Sequence, residues 1–344
     1  MKILCVGPLW RGSNAGSLFK ALSRNGCLIE VVDEFYFISL RSKQKVNKII
    51  SKIIRPFQIK EFNDDIVTKI NLFKPDLVFV YKGSFVLPQT VDFAKEKGCK
   101  VAMFFPDVSM TNHGENIAKC LPKYDLVFTT KTFGIKDLKD FFGVSNSVFI
   151  PHGFDPEIHR KLTIAPKAAS EFYNDVSFIG TYSRHKEEML TFLKQKLPNI
   201  NLKIWGSQWK GSNTILKNSI QGTAVTGDLY SLAIQCSKIN LGLLSEVVKG
   251  SSSGDLVTSR TFHIPAAYGF MIHERNVESI TYYKENEEAA FFEGGDELVE
   301  KVSYFLSHDT ERLSIRENGY LKTLKCDSID KRAEIVIEWL NKIS

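Results

Sequence analysis

The residues best suited to chemistry lie in SRTFHIPAAYGFMIHE, residues 259–274, and in the loop before it. Arg260 carries a planar fork of donors that matches phosphate. His263, three residues on, falls on the same face if the stretch is helical. The preceding EVVKGSSSGDLVTSR, residues 246–260, has seven Gly, Ser or Thr among fifteen residues, a composition suited to a binding loop. Lys249 and Arg260 flank it as charges for a diphosphate, and backbone N–H groups at Ser252, Ser253 and Gly254 could face the same anion. His263 has two readings, a donor to a phosphate or ribose oxygen and a hydrogen-bonded histidine beneath a loop.

A second candidate is the turn after the apolar run DVSFIG, where Gly180 is followed by Thr181, Ser183 and Arg184. A strand that runs into glycine exposes backbone N–H groups, and arginine supplies a fork, although a plain turn has the same composition. In the first half of the chain Asp107 follows KVAMFFP. An ionisable residue there stands where open α/β sheets bind ligands. It could take a proton from an attacking hydroxyl, hold a sugar hydroxyl, or simply close a turn. His113 and Glu115 follow in SMTNHGEN, with His113 the reserve base. Gly12, Ser13 and Asn14 in WRGSNAG form a turn on the same acceptor side. Neither glycine turn matches the dinucleotide or phosphate-loop patterns. There is no metal-ligand spacing of His and Cys and no serine-hydrolase elbow, so no metal site is expected.

These residues need elements to hold them. KILCVG, LIEVVD, DLVFVYK, KVAMFFPD, DLVFTT and SVFIPHG read as strands separated by helix-compatible segments, the alternation of a parallel α/β domain. Residues 156–174 read as a linker. The alternation then restarts with DVSFIGTYS, LKIWGSQW, KINLGLLS and FMIHE as strands, and residues 261–269 read as a helix capped by Thr258 or Ser259. The spacing predicts two Rossmann-like α/β domains facing across a cleft. The first spans residues 1–155 and takes the acceptor. The second spans residues 175–325 and takes the donor. Residues 326–344 form a terminal helix expected to return to the first domain.

Across 344 residues, 43% hydrophobic and 24% charged residues describe an ordinary globular chain. No run approaches the ~18 apolar residues of a membrane span. Six scattered cysteines read as reduced structural thiols, and the expected location is cytoplasmic. The net charge of +6 is concentrated in residues 41–60, which hold seven basic residues and no acid. Lys45, Lys48 and Lys52 recur at helical spacing beside Val46, Ile49, Ile50, Ile53 and Ile54. That pattern fits either a helix packed on its own domain or a peripheral contact with the inner face of a membrane or an anionic acceptor. Acids and bases mix elsewhere, and no nucleic-acid motif is present.

The second half resembles the glycosyltransferases of the GT-B type. The resemblance is to a CgeB-like, glycosyltransferase family 1-like bacterial branch. It rests on Ile179–Gly180, the serine-glycine loop, Arg260, Phe262, Ala266 or Ala267, and Gly269 of an R-x-F-E-x-x-A-x-G pattern, and a terminal segment near Asp330–Arg332. PHGFDPEIH at residues 151–159 is similar to the family's P-x-G-x-D at the end of the first domain. His263 stands where the family carries glutamate, and CDSIDKR lacks the histidine of its HTY-like segment. The resemblance implies a glycosyltransferase that moves a sugar from a nucleoside-diphosphate sugar to a glycan, lipid-linked or small-molecule acceptor, without a bound metal and with inversion slightly favoured. Gly180, Arg184, Lys249, Ser252, Ser253, Gly254, Arg260 and His263 would bind the donor, and Asp107 or His113 would act as base. Two alternatives are a catalytically silent nucleotide-sugar-binding or partner-assembly protein and a nucleotide-sugar isomerase or hydrolase.

Overall fold

The computed structural model describes residues 1–38 and 45–343, with side chains from residue 53 onward in the helix that begins at Lys45. Residues 41–44 of the basic segment lie outside the described residues, as do the side chains of Lys45, Lys48 and Lys52. The chain divides into two compact units. Unit 1 comprises residues 1–151, 248–253 and 329–344, and unit 2 comprises residues 152–247 and 254–328.

Unit 1 is built on β1 (Lys2–Gly7), β2 (Leu28–Asp33), β3 (Leu77–Tyr81), β4 (Lys100–Phe105), β5 (Leu126–Thr129) and β6 (Ser147–Phe149). They form one parallel sheet in the order β2-β1-β3-β4-β5-β6. Its helices are α1 (Asn14–Arg24), α2 (Glu34–Ile38), α3 (Lys45–Phe73), α4 (Pro88–Glu96), α5 (Glu115–Cys120) and α6 (Gly134–Phe142). The central strands are apolar on both faces because both faces are covered. Val78, Val80, Val101 and Met103 meet Phe62, Ile66 and Ile70 of α3 and Val91 of α4. The alternate positions, Leu77, Phe79, Ala102 and Phe104, meet Leu18, Phe19 and Leu22 of α1. The helix at residues 329–343 covers the same face with Ala333, Val336 and Leu340, and Arg24 pairs with its Asp330 at 2.7 Å.

Unit 2 begins with α7 (Pro166–Phe172), inside the segment the sequence reads as a linker. Proline at the first helical position costs no hydrogen bond there and starts this short helix. β7 (Asn174–Ile179), α8 (Arg184–Lys196), β8 (Leu202–Trp205), α9 (Asp228–Gln235), β9 (Ser237–Gly242), α10 (Ser259–Ala266) and β10 (Met271–Glu274) follow. After them come α11 (Ser279–Tyr282), β11 (Ala290–Phe292), α12 (Gly294–Ser307) and α13 (Asp309–Cys326), and α14 (Ile329–Ile343) belongs to unit 1. The sheet is parallel in the order β11-β10-β9-β7-β8, which repeats the strand order of unit 1. β11 is absent from the sequence reading because three apolar residues are too short for a period to show. Both units are therefore Rossmann-like α/β layers with parallel sheets. Among the described residues no helix is long and apolar enough to cross a membrane. Cys326 is the exposed thiol among six free cysteines.

Histidines fix the core of unit 2 around α10. Thr258 is the N-cap of the helix, and its carbonyl accepts from the Thr261 N–H at 3.1 Å. The Thr258 N–H donates to Thr261 Oγ1 at 3.1 Å, and that hydroxyl reaches His273 Nε2 at 2.9 Å. His273 Nδ1 in turn donates to the Glu274 carbonyl at 2.7 Å. His263 is buried, donates through Nε2 to the Gly153 carbonyl at 3.1 Å, and stacks on His159 with ring centroids 3.6 Å apart. Burial drives the pKa of His263 and of His273 down to about 4, against smaller opposing effects of their backbone hydrogen bonds.

Both imidazoles are thus neutral when folded and titrate near 6.5 when unfolded. Their contribution to stability is complete above about pH 6.5 and is lost as the pH falls towards 4. Denaturant unfolding of His263→Gln, which keeps a donor for Gly153, is expected to lose stability less steeply across that window. The difference should reach about 1.4 kcal/mol per pH unit for the proton no longer taken up. An unchanged slope would show that His263 is not held neutral.

Candidate active site

Two constellations stand at the carboxyl ends of the strands. Each lies beside the point where its sheet reverses strand order, between β1 and β3 in unit 1 and between β7 and β9 in unit 2. Ligands bind at that position in open α/β sheets because connections on either side diverge and leave a crevice.

In unit 1 the strand β3 is followed by Lys82 and Gly83, both in the left-handed region at φ 68° and 74°. Glycine takes that conformation freely, but lysine does so at a cost. The turn delivers Lys82 Nζ to Asp107 Oδ2 at 2.6 Å, and His113 Nε2 lies 3.1 Å from the same oxygen. The side chains of Asp107 and His113 are 34% and 36% exposed, so both can be reached by a ligand. Burial alone would raise the Asp107 carboxyl, but Lys82, His113 and Lys131 hold it below its ordinary value. Burial lowers the His113 pKa, Asp107 opposes this, and Lys82 adds to it, so the imidazole stays below 6.5 and neutral at pH 7.

The surrounding loop is braced. Ser109 Oγ donates to the Lys249 carbonyl at 2.6 Å, and the Ser252 N–H donates to Asp137 Oδ2 at 3.0 Å. Gly250, at φ 82°, passes so close to Thr111 Oγ1 that no Cβ would fit. Lys249, Ser252 and Ser253 accordingly lie in unit 1, beside the loop that carries Asp107 and His113, and not with Arg260 in the donor domain that the sequence reading gave them. Continuity along the chain cannot reveal such an excursion, because six residues carry no pattern of their own. Ser13 caps α1, accepting from the Gly16 N–H at 3.0 Å and donating to the Pro8 carbonyl at 2.8 Å. Gly12 takes φ 87° in the turn before it, and the Asn14 side chain lies within hydrogen-bonding reach of the Tyr81 phenol.

In unit 2, β7 ends at Gly180. A Cβ there would lie 2.8 Å from Arg260 Nη1 and from the Phe178 ring, so glycine is what admits the arginine. Gly206 lies against the Gly180 carbonyl with no room for a side chain, and Trp209 Nε1 donates to that carbonyl at 2.9 Å. Arg260 Nη2 donates to the Leu243 carbonyl at 2.7 Å, and its guanidinium lies 5.2 Å from the centre of the Phe178 ring. Its buried Nε has no hydrogen-bond partner among the described residues.

Beside Arg260 is Lys186, a residue absent from the sequence reading. Its Nζ donates to Ser245 Oγ at 2.8 Å, and the Asp255 N–H donates to the Ser245 carbonyl at 2.9 Å. Gly254 packs on that carbonyl at a distance only glycine allows. Burial, then the charge of Arg260, lowers the Lys186 pKa to about 8. Among the described residues neither cation forms an ion pair with a carboxylate, although Asp255 and Glu274 are near enough to favour their charge. Two side chains fall elsewhere. Arg184 is 84% exposed and pairs with Glu188 one turn along α8, and His263 is taken up by Gly153 and His159. The helix face shared by positions 260 and 263 turns its second member inward. The signal that could have found Lys186 is its place in the first turn of the helix after the Ile179–Gly180 turn, where basic groups and free N–H donors converge.

The fold these units define is that of the GT-B glycosyltransferases, two Rossmann-like α/β units in one chain. A family model described as glycosyl transferase-like matches residues 184–338, a stretch that contains Lys186, Gly254 and Arg260. Among solved structures the chain is similar to a glycosyltransferase from Rickettsia africae, at 14% identity with 99% of this chain and 98% of that one covered and a TM-score of 0.66. It is similar to Anabaena HepE in complex with UDP-glucose, at 10% identity, 99% and 100% coverage and a TM-score of 0.65. It is also similar to sucrose-phosphate synthase from Thermosynechococcus elongatus, at 9% identity, 100% and 99% coverage and a TM-score of 0.67. No curated protein matches the chain in sequence. Among the described residues no group of three or more His, Cys, Asp or Glu side chains could hold a metal ion.

Two cations without carboxylate partners among the described residues supply the charge that a polyanion would need, and Lys186 titrates near neutrality. Lys186 is charged below about pH 8 and neutral above it. Calorimetric affinity for pyrophosphate is expected to fall as the pH rises from 7 to 9. In Lys186→Met affinity should be at least tenfold weaker at pH 7 and nearly flat over the same range. Equal pH dependence in the two proteins would remove Lys186 from the site.

Proposed function

We propose that the protein is a glycosyltransferase that moves a sugar from a nucleoside diphosphate to a hydroxyl acceptor. The observation that carries this reading is the pair Lys186 and Arg260 in the first turns of α8 and α10, cationic, largely buried and without carboxylate partners among the described residues. A leaving diphosphate gains negative charge as the glycosidic bond breaks, and fixed cations in a low-dielectric site stabilise that change more than they stabilise the bound substrate. The Gly180 turn lets Arg260 in, and Gly254 lies on the Ser245 carbonyl beside Lys186. The complex of HepE with UDP-glucose supports a nucleoside-diphosphate sugar as donor. The Arg260–Gly269 stretch, within the matched residues 184–338, supports the CgeB-like branch.

Unit 1 supplies the base. His113 Nε2 lies 3.1 Å from Asp107 Oδ2, and a proton on Nε2, the nitrogen that faces the carboxylate, leaves Nδ1 unprotonated. The acceptor hydroxyl gives its proton to Nδ1 while its oxygen forms a bond to the anomeric carbon. The bond from that carbon to the diphosphate oxygen breaks, and the diphosphate leaves with the electron pair. One displacement of this kind inverts the anomeric centre, and His113 releases the proton to solvent afterwards. Lys82 keeps Asp107 ionised, so that the carboxylate orients the imidazole.

A panel of UDP-, GDP-, CDP- and TDP-sugars offered with glycan, lipid-linked and small-molecule acceptors should give nucleoside diphosphate and a new glycoside for one combination. Donor binding without turnover across the panel would replace this reading by a silent binding protein, for which the inward-turned His263 is the supporting observation. Release of free sugar regardless of acceptor would indicate a hydrolase. In the active combination His113→Ala should lower turnover about 10²- to 10⁴-fold with donor affinity unchanged. The acid limb of kcat/KM should lie below pH 6.5 and move to higher pH in Lys82→Met, because removing a neighbouring positive charge favours the protonated imidazole. A limb that stays in place would reject His113 as the base.

A further inference from the structure

A hollow of about 530 Å³ opens on unit 1 where α3 meets the starts of α4 and α5. Its lining includes Arg55, Pro56, Ile59, Lys60, Leu87 and Glu115. Ile59 is packed from its other side against the unit 1 core, as is Phe85, so the floor is held in place. The Arg55 guanidinium lies 5.5 Å from the centre of the Phe85 ring and has no carboxylate partner among the described residues. Lys60 pairs with Asp64, and Glu115 pairs with Lys119, each within its own helix at the surface. The charges that border the hollow are therefore internally balanced except for Arg55.

The same helix carries an apolar stripe beside the hollow. Ile53, Pro56 and Phe57 follow the i, i+3, i+4 spacing of one helix face. Ile53 is 65% exposed and Phe57 is 72% exposed. A helix that packs on its domain turns such a stripe inward, as α3 does further along with Phe62, Ile66 and Ile70. At Ile53 and Phe57 it presents apolar side chains to solvent instead, next to Arg55, which has no carboxylate partner among the described residues. Pro56 has no N–H to give the Lys52 carbonyl, so this turn of α3 is also the one whose backbone is not closed on itself.

We infer that this hollow binds the phosphate-bearing head of an amphiphile, with Arg55 on the anion and Ile59, Leu87 and the Ile53–Phe57 stripe on its apolar chain. The hollow begins at Glu115, two residues beyond His113, which places its edge within about 7 Å of chain from the proposed base. An amphiphile seated there has the position of an acceptor. The inference rests on the reading that unit 1 takes the acceptor, and it narrows that acceptor to a lipid phosphate. A soluble glycan lacks the chain that the exposed stripe would cover.

Binding can be measured without donor or turnover, so a failure here is separable from a failure of the transferase reading. Calorimetry of the full chain with decyl phosphate, below its aggregation concentration, is expected to give saturable one-to-one binding. Decyl maltoside, which has the chain without the charge, should bind at least tenfold more weakly. Inorganic phosphate and a sugar phosphate, which have the charge without the chain, should bind at least a hundredfold more weakly. Arg55→Gln should cost at least tenfold for decyl phosphate and little for decyl maltoside, and Phe57→Ser, a change at an exposed position, should weaken both. Equal binding of the charged and neutral amphiphiles, or of wild type and Arg55→Gln, would overturn the inference. So would tighter binding of the sugar phosphate, which would make the site one for a water-soluble acceptor.

Discussion

A parallel sheet sends every strand out through the same edge, and that constraint fixes where this protein gathers its charged groups. Antiparallel strands would divide their ends between two edges, whereas each crossover helix here returns the chain to the opposite side. β1, β3 and β4 therefore deliver Asn14, Lys82 and Asp107 to one rim of unit 1. β7, β9 and β10 deliver Gly180, Ser245 and Glu274 to one rim of unit 2. Strand order then selects among the ends. Both sheets place the first strand between the second and the third, and at that reversal the two neighbouring connections go to opposite faces. The charged constellations of both units stand at the reversal, while the outer strands β6 and β11 carry none of the groups considered.

At both rims the surrounding structure sustains charges that would be costly alone. Lys186 and Arg260 lose hydration on burial, and each recovers part of it from a neutral acceptor, Ser245 Oγ for one and the Leu243 carbonyl for the other. Neutral acceptors leave the positive charge available to a ligand, where an adjacent carboxylate would have cancelled it. Arg260 is held from behind by the path from the Thr258 cap through Thr261 to His273, so the first turn of α10 cannot shift without breaking a buried chain of hydrogen bonds. In unit 1 the left-handed backbone at Lys82 stores strain that its ion pair with Asp107 offsets.

Composition and periodicity made the two α/β units readable from the sequence, because uninterrupted apolar strands such as LVFVY can be satisfied only inside a doubly covered sheet. The neighbourhoods of Gly180, Arg260 and Asp107 were readable for the same reason, since each follows or adjoins such a strand. Three features were not. Lys82 reads as the end of a strand, and only the left-handed turn made with Gly83 directs it at Asp107. Lys186 lies in HKEEM, which looks like the exposed first turn of any amphipathic helix, although the lysine is buried. The six residues 248–253 share their glycine-serine composition with a phosphate loop, yet their backbone groups are engaged by Ser109 and Asp137. Composition reports that a backbone is free to approach something, and it does not report what.

The same distinction between a residue's type and its surroundings decides which member of the Asp107–His113 pair could serve as a base. Sequence position favours the carboxylate, which directly follows the strand. A general base works best when its pKa lies near the operating pH, since a group that binds protons too weakly gains little from accepting one. Lys82 and Lys131 add positive charge around Asp107 and hold its carboxyl below the ordinary range, which makes it a poor proton acceptor and a good anchor. His113 is lowered by burial and by Lys82 but starts from a higher intrinsic value and is partly supported by the carboxylate, so it is neutral at pH 7 and is the member of the pair with a proton site to fill. The electrostatics thus divide the pair into a group that keeps its charge and a group that can change it, which is the division of labour the proposed displacement requires.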